Sequence, residues 1–254
     1  MTFEPEFRWT SAARTDIGLV RSRNEDCLLE HAARGLWAVA DGMGGHAYGD
    51  VASRMVIAAL DTLPAAGPAG LRQSIAVALE QLRSVNGQLR AEAAARKVTM
   101  MGSTVVVLLA YGGEAGYLWA GDSRIYLYRN GRLQQLTRDH SQAEELRARG
   151  AALRADAPVP NGITRALGAA DTIDIEHGSL PVRDGDLFLL CSDGLSNPVN
   201  EQGIADALAT GDCGAAVAEL IAKALANGGR DNISVVVARA DDVCSDKTML
   251  NPAL

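Results

Sequence analysis

The chain predicts an α+β fold, a four-layer αββα sandwich of two antiparallel sheets flanked by helices, on three observations. From Ser103 onward, short runs of β-branched and aromatic residues follow one another with tight turns between them. Connections that short join antiparallel neighbours and exclude a doubly wound parallel sheet there. Two later runs, Asp186 to Cys191 and Ile233 to Ala238, are almost wholly apolar, as strands covered on both faces are. Three stretches with apolar residues at helical spacing supply that cover.

In chain order, the segment from Asp26 opens an apolar strand, and Leu36 to Ala40 is a strand ending at Asp41. Val51, Met55, Val56, Ala59, Leu60 and Leu63 form one helical face; Leu71, Ile75, Leu79, Leu82, Val85 and Leu89 form a second. The meander then reads Ser-Thr-Val-Val-Val-Leu-Leu-Ala, Tyr-Leu-Trp-Ala and Ile-Tyr-Leu-Tyr. Asn130-Gly131 closes a hairpin, because both turn positions need positive φ. Residues 139–162 read as a mobile surface flap with a short helix over Gln142 to Arg149. Ala215 to Ala226 is the last helix, stopped by Asn227-Gly228-Gly229.

A length of 254 residues with 48% hydrophobic and 22% charged side chains fits an ordinary globular protein with a large core. The Pro/Gly-rich stretches Pro64 to Gly70 and Ala157 to Gly162 are too short for linkers, so one domain over 1–240 with a tail at 241–254 is expected. A net charge of −7 disfavours a nucleic-acid surface. Cys27, Cys191, Cys213 and Cys244 form no Cys-x-x-Cys pair and read as incidental thiols. Met1 to Trp9 lacks a signal-peptide core, and no run approaches the roughly 18 apolar residues of a membrane span. A monomer in the cytoplasm, without nucleic-acid or membrane partners, is the expectation.

Aspartates set into glycine-punctuated turns recur next to strand-like runs: Asp41, Asp122, Asp193 and Asp231. Mg²⁺ and Mn²⁺ prefer oxygen ligands and keep bound waters, so carboxylates delivered from separate sheet ends suit a hard-cation site and point to a metal-dependent hydrolase. Each aspartate alone is also a serviceable turn or cap residue. Arg21-Ser22-Arg23-Asn24-Glu25-Asp26 has two readings, a solvated ion-paired loop or a phosphate site built on a guanidinium fork.

In order along the chain, these segments resemble the metal-dependent protein phosphatase family, the protein phosphatase 2C-like enzymes, in their compact bacterial form. The resemblance rests on Arg-Ser-Arg-Asn-Glu-Asp at 21–26, Asp-Gly-Met-Gly-Gly-His at 41–46, Gly-Ser-Thr at 102–104 and Gly-Asp-Ser-Arg at 121–124. It continues through Thr-Arg-Ala-Leu-Gly at 164–168, Ser-Asp-Gly-Leu at 192–195 and Gly-Arg-Asp-Asn-Ile-Ser at 229–234. It implies that Asp41 bridges two Mn²⁺ or Mg²⁺ ions, with the Gly42 carbonyl, Asp193 and Asp231 completing the ligands and Asp122 joining Asp193 at a weaker third site. Arg21 matches the phosphate-binding arginine, while Glu25 and Asp26 match acids that reach the metals through water. The implied activity is hydrolysis of phosphoserine and phosphothreonine by water activated between two cations, with no covalent phosphoenzyme and no role for Cys27 or Cys191. Implied partners are the phosphorylated targets of a bacterial Ser/Thr kinase.

Three features depart from the family pattern. Met43 stands where many eukaryotic relatives carry a histidine proposed to protonate the leaving group; nearby His46 has a suitable pKa for that role, or it caps the following helix or lines the cleft. Asn197 stands where some relatives place another acid near the third metal. The flap is short and carries Arg147, Arg149 and Arg154, which suit acidic or phosphorylated partners or a solvated helix face. His140 reads as structural, and His31 and His177 carry no signal. Two rivals stand beside the phosphatase: a catalytically silent sensor of the same fold, and a small-molecule phosphoesterase.

Overall fold

The computed structural model describes residues 6–43, 48–64, 70–149 and 162–243, and in them the apolar strands assemble into two antiparallel sheets. One sheet runs in the order β1 (Phe7–Asp16), β11 (Ile233–Asp242), β10 (Asp186–Cys191), β7 (Arg124–Arg129) and β8 (Arg132–Gln135). The other runs β2 (Asp26–His31), β3 (Leu36–Met43), β5 (Val105–Tyr111), β6 (Glu114–Ala120) and β9 (Glu176–Pro181), with the two-residue β4 (Gly102–Ser103) on the end of β3.

Side-chain alternation along these strands makes the four layers. In β5, Val106 and Leu108 point to the inter-sheet core with Trp37, Phe188, Leu190 and Val236. Val105, Val107 and Leu109 point the other way, against α1 (Gly49–Asp61) and α2 (Gly70–Arg96) through Val56, Leu60, Leu82 and Leu89. On the opposite flank Leu187, Leu189, Val235 and Val237 meet α4 (Asp193–Ser196), α5 (Glu201–Leu208) and α6 (Cys213–Ala226). Burying each such aliphatic side chain contributes about 1.5–3 kcal/mol, so both faces of each central strand hold the sandwich together. Among the described residues, no helix is long and apolar enough to cross a membrane.

The helical faces read from the sequence fall on α1, α2 and α6. The Asn130-Gly131 turn takes positive φ at both positions, 52° and 75°, and joins β7 to β8. The last helix ends as expected, with Gly228 and Gly229 both at positive φ and their N–H groups returning to the Leu225 and Ala224 carbonyls.

Two expectations are corrected. The segment from Ser103 is not one continuous meander: Gly121–Ser123 carries the chain from β6 in one sheet to β7 in the other. Facing sheets lie about 10 Å apart, and three extended residues span about that distance. A short connection can therefore change sheets as well as turn within one. Gly121 makes the crossing at φ 116°, with Thr104 so near that an added Cβ would come within 2.6 Å of its side chain. Strand β3 also continues to Met43 instead of ending at Asp41. The short helix in 139–162 is present as α3 (Gln142–Ala148), anchored by pairing of Ser141 with Ile163, while the rest of that flap, 150–161, lies outside the described residues.

Candidate metal centre

Pairing of β2 with β3 sets Asp26 directly opposite Asp41, with the Gly42 N–H bonded to the Glu25 carbonyl (3.1 Å). The Asp41 backbone is fixed from the neighbouring segment. Its N–H donates to Thr104 Oγ1 (3.1 Å), and its carbonyl accepts from Thr104 N–H (2.8 Å) and Ser103 Oγ (3.0 Å). Thr104 Oγ1 is itself 2.7 Å from Ser123 Oγ, which ties Asp41 to the sheet-changing turn that carries Asp122. Gly42 allows the approach of α1: an added Cβ would lie 1.9 Å from the Gly49 carbonyl oxygen.

The other sheet supplies Asp193, first residue of α4 behind β10, and Asp231, just before β11. Ser192 locks the two sheets together. Its hydroxyl donates to Asp26 Oδ2 (2.8 Å) and accepts from the Ser234 N–H (3.0 Å). Asn232 holds the Arg21 loop to the same edge. Its side-chain oxygen accepts from Glu25 N–H (2.8 Å) and its amide donates to the Ile17 and Arg23 carbonyls (2.9 Å each).

These elements bring Arg21, Glu25, Asp41, Gly42, Asp193 and Asp231 to the wall of one cleft of about 530 Å³. Arg21 donates to Asp231 Oδ2 (2.7 Å) while half of its side chain stays exposed. Asp26 lies buried beneath the cleft, on Ser192. Asp122 does not line the cleft, but Asp193 is close enough to raise its carboxyl electrostatically. His46 lies outside the described residues. Met43 lines the cleft, so a thioether and not an imidazole stands at this position.

Burial is the first cause of every carboxylate shift here. It pushes Asp26 up to about 6 against the hydrogen bonds from Ser192 and Ser234, with Asp193 and Asp231 adding to the rise. It pushes Asp122 up to about 7, helped by Asp193 and Asp139. Asp41 is held well above the usual carboxylate range by burial and then by Asp26, Asp193, Asp122 and Asp231. Asp193 and Glu25 are raised as well, each primarily by burial. Converging buried carboxylates that disfavour one another's charge are what a cation relieves.

The donor set fits hard divalent ions. Asp122 Oδ1 and Asp193 Oδ1 are buried without a hydrogen-bond partner, a costly state that a cation at those oxygens would end. The second Asp193 oxygen accepts from Asn197 Nδ2 (3.2 Å), so Asn197 orients this carboxylate. Among the described residues, no three His, Cys, Asp or Glu side chains stand close enough to enclose one ion by themselves. Carboxylates spread around a cleft suit Mn²⁺ or Mg²⁺, which retain waters in their coordination shells. Thiol chemistry is disfavoured, since burial pushes Cys191 up to about 12.

Sequence reasoning missed the residues that position the others. Asn232 and Ser192 were visible only as parts of motifs, and Ile163, at the cleft wall, carried no signal. Arg124 of the Gly-Asp-Ser-Arg segment is committed to Asp139, with Nε and Nη2 on the two carboxylate oxygens (2.9 and 2.7 Å). Buried His140 is structural, as expected: its Nδ1 accepts from Gly121 N–H (3.1 Å) and its Nε2 lies 3.0 Å from Glu176, which steadies the turn before Asp122.

Two carboxylate-bearing sheet edges and a guanidinium thus meet in one cleft, and the chain belongs to the protein phosphatase 2C family, whose model matches residues 21–226. It is 40% identical over 242 residues to the serine/threonine protein phosphatase PstP of Mycobacterium tuberculosis, which covers 91% of this chain. The chain spans about half, 45%, of that relative's length. Among solved structures it is similar to PppA of Pseudomonas aeruginosa, described as a key regulatory component of T6SS, with 41% identity and a TM-score of 0.85 over 91% of this chain and 97% of that one. It is also similar to the catalytic domain of PstP in complex with two manganese ions, with 38% identity and a TM-score of 0.82 over 93% of this chain and all of that one.

Proposed function

We propose that this chain is a metal-dependent protein phosphatase that hydrolyses phosphoserine and phosphothreonine. One observation carries the reading: Asp41, Asp193 and Asp231 meet Arg21 in a single cleft, and Asp193 keeps a buried carboxylate oxygen without a partner. The similarity to PstP, crystallised with two manganese ions, supports the same ion count here.

Asp41, Asp193, Asp231 and the Gly42 carbonyl are the proposed holders of two Mn²⁺ or Mg²⁺ ions. When bound, such ions act as Lewis acids toward water and the phosphate oxygens. Glu25 and Asp26 order the surrounding water, and Ser192 keeps Asp26 aimed at the site. Arg21 receives the phosphate; Asp231 holds its guanidinium across the cleft mouth, leaving N–H groups for the phosphate oxygens. Asp122 and Asp193, each with a buried carboxylate oxygen that lacks a partner, would hold a third, weaker ion. Proton donation to the leaving alkoxide is assigned to His46. The protein is placed in the cytoplasm as a monomer, acting on the products of a bacterial Ser/Thr kinase.

The test is phosphate release from phosphothreonine, phosphoserine and phosphotyrosine peptides with Mn²⁺ and with chelator. Release from the first two only, stopped by chelator, is expected. A marked preference for phosphotyrosine overturns the substrate assignment, and turnover in chelator overturns the metal dependence.

A further inference from the structure

Beside the phosphate cleft lies a second hollow of about 530 Å³, lined by Asp193, Asn197, Pro198, Asn227, Arg230 and Asp231. It shares Asp193 and Asp231 with the first, so a chain whose phosphate lies against Arg21 meets this hollow with its next residues. Its size is that of an ordinary ligand pocket, about 300–1,000 Å³.

Most of its polar groups are already engaged. Asp231 accepts from Asn232 N–H on one oxygen (2.9 Å) and from Arg21 on the other (2.7 Å). Asn197 donates to Asp193 (3.2 Å), and Asn227 donates to the Pro198 carbonyl (2.8 Å). Each amide side chain thus commits one N–H to the wall, which orients its oxygen to accept from an incoming backbone. Arg230 is different. It is exposed, and among the described residues its guanidinium has no hydrogen-bond or ion-pair partner. Its stem runs beside Gly228, where an added Cβ would lie 3.7 Å from Arg230 Cγ, an ordinary contact. In a chain of net charge −7, this is an uncommitted cation at the edge of the site.

We propose that this hollow is a substrate subsite, and that Arg230 selects phosphopeptides with an acidic side chain adjoining the phosphorylated residue. The proposal rests on the phosphatase reading above. The guanidinium offers a carboxylate a forked contact, while the Asn197 and Asn227 oxygens accept from peptide N–H groups. An exposed ion pair is weak, so a preference of roughly threefold, and at most about fivefold, in kcat/KM is expected.

The experiment uses the Mn²⁺-loaded chain and phosphothreonine peptides with Glu, Ala or Lys on either side of the phosphorylated residue, with an aryl phosphate run alongside. Each Glu-to-Lys ratio is taken on one preparation, so differences in active fraction cancel. The wild type is expected to favour Glu, Arg230→Gln to lose the preference, and Arg230→Glu to favour Lys. Aryl phosphate turnover with equal rates on all wild-type peptides overturns the subsite, as does a Glu preference that survives Arg230→Glu. No turnover of any substrate by the wild type overturns the phosphatase reading itself and the subsite with it.

Discussion

Asn232→Ala removes the side chain that pins the Arg21 loop to the head of β11. Three hydrogen bonds are lost together, from Glu25 N–H (2.8 Å) and to the Ile17 and Arg23 carbonyls (2.9 Å each). Asn232 is buried, so the partners are left without replacement from water. At a net contribution of about 1 kcal/mol per bond, the loss is about 3 kcal/mol. For a chain of this size 1 kcal/mol moves Tm by about 2–4 °C, so the metal-free variant is expected to melt about 6–12 °C lower. The effect on function should exceed what stability alone explains, because Glu25 and Arg21 both lean on this residue. Loss of a supporting partner at a metal site typically costs about 10–100-fold, and kcat/KM on a phosphothreonine peptide should fall by that factor at a temperature where the variant is fully folded. Calorimetric melting and steady-state kinetics read the two effects separately. A Tm within about 1 °C of wild type and unchanged kinetics would refute the positioning argument.

Two further outcomes follow from the same site. In chelator, Asp26 and Asp122 keep their protons in the folded protein to about pH 6 and about pH 7, while the unfolded chain releases them near pH ~3.9. The folded state then binds more protons between about pH 4 and 7, so stability should fall as pH rises through that window. Urea midpoints measured at pH 5 and 7.5 check this; Mn²⁺ should restore the loss at pH 7.5, Asp122→Asn should flatten the decline, and a midpoint that rises with pH would contradict it. Arg21→Lys keeps the charge but loses the planar fork, and a hydrogen bond to a charged group contributes about 1.5–3 kcal/mol. Its kcat/KM on aryl phosphate should drop by at least about tenfold, mainly through KM, and wild-type kinetics in this variant would remove Arg21 from phosphate binding.

Legibility in the sequence followed locality. The faces of α1, α2 and α6, the turn at Asn130 and the stop after Ala226 rest on residues near one another in the chain, and they could be read directly. The aspartates were legible because glycines mark where a strand gives way to a ligand-approaching turn, as at Asp41 and Asp193. Strand β1 was not legible: Phe-Arg-Trp-Thr-Ser-Ala-Ala-Arg-Thr-Asp mixes polar and apolar residues, and it becomes a strand by pairing along ten residues with distant β11. The sheet change at Gly121–Ser123 escaped for a similar reason, since turn length alone does not say which sheet receives the next strand. Ser192 and Asn232 act through partners about 170 and 210 residues away, Asp26 and Glu25, so nothing local distinguishes them from ordinary strand-end residues.

A single divalent-metal centre built from carboxylates of both sheets is tested by calorimetric titration of the metal-stripped protein with Mn²⁺ in buffers of different ionisation enthalpy. At least two ions per chain are expected, bound with release of protons near pH 6.5, because Asp26 and Asp122 titrate at about 6 and about 7 before the ions arrive. Asp41→Asn should lower the ion count. Binding of fewer than two ions per chain, or an unchanged titration in Asp41→Asn, would rule out a shared centre at these residues.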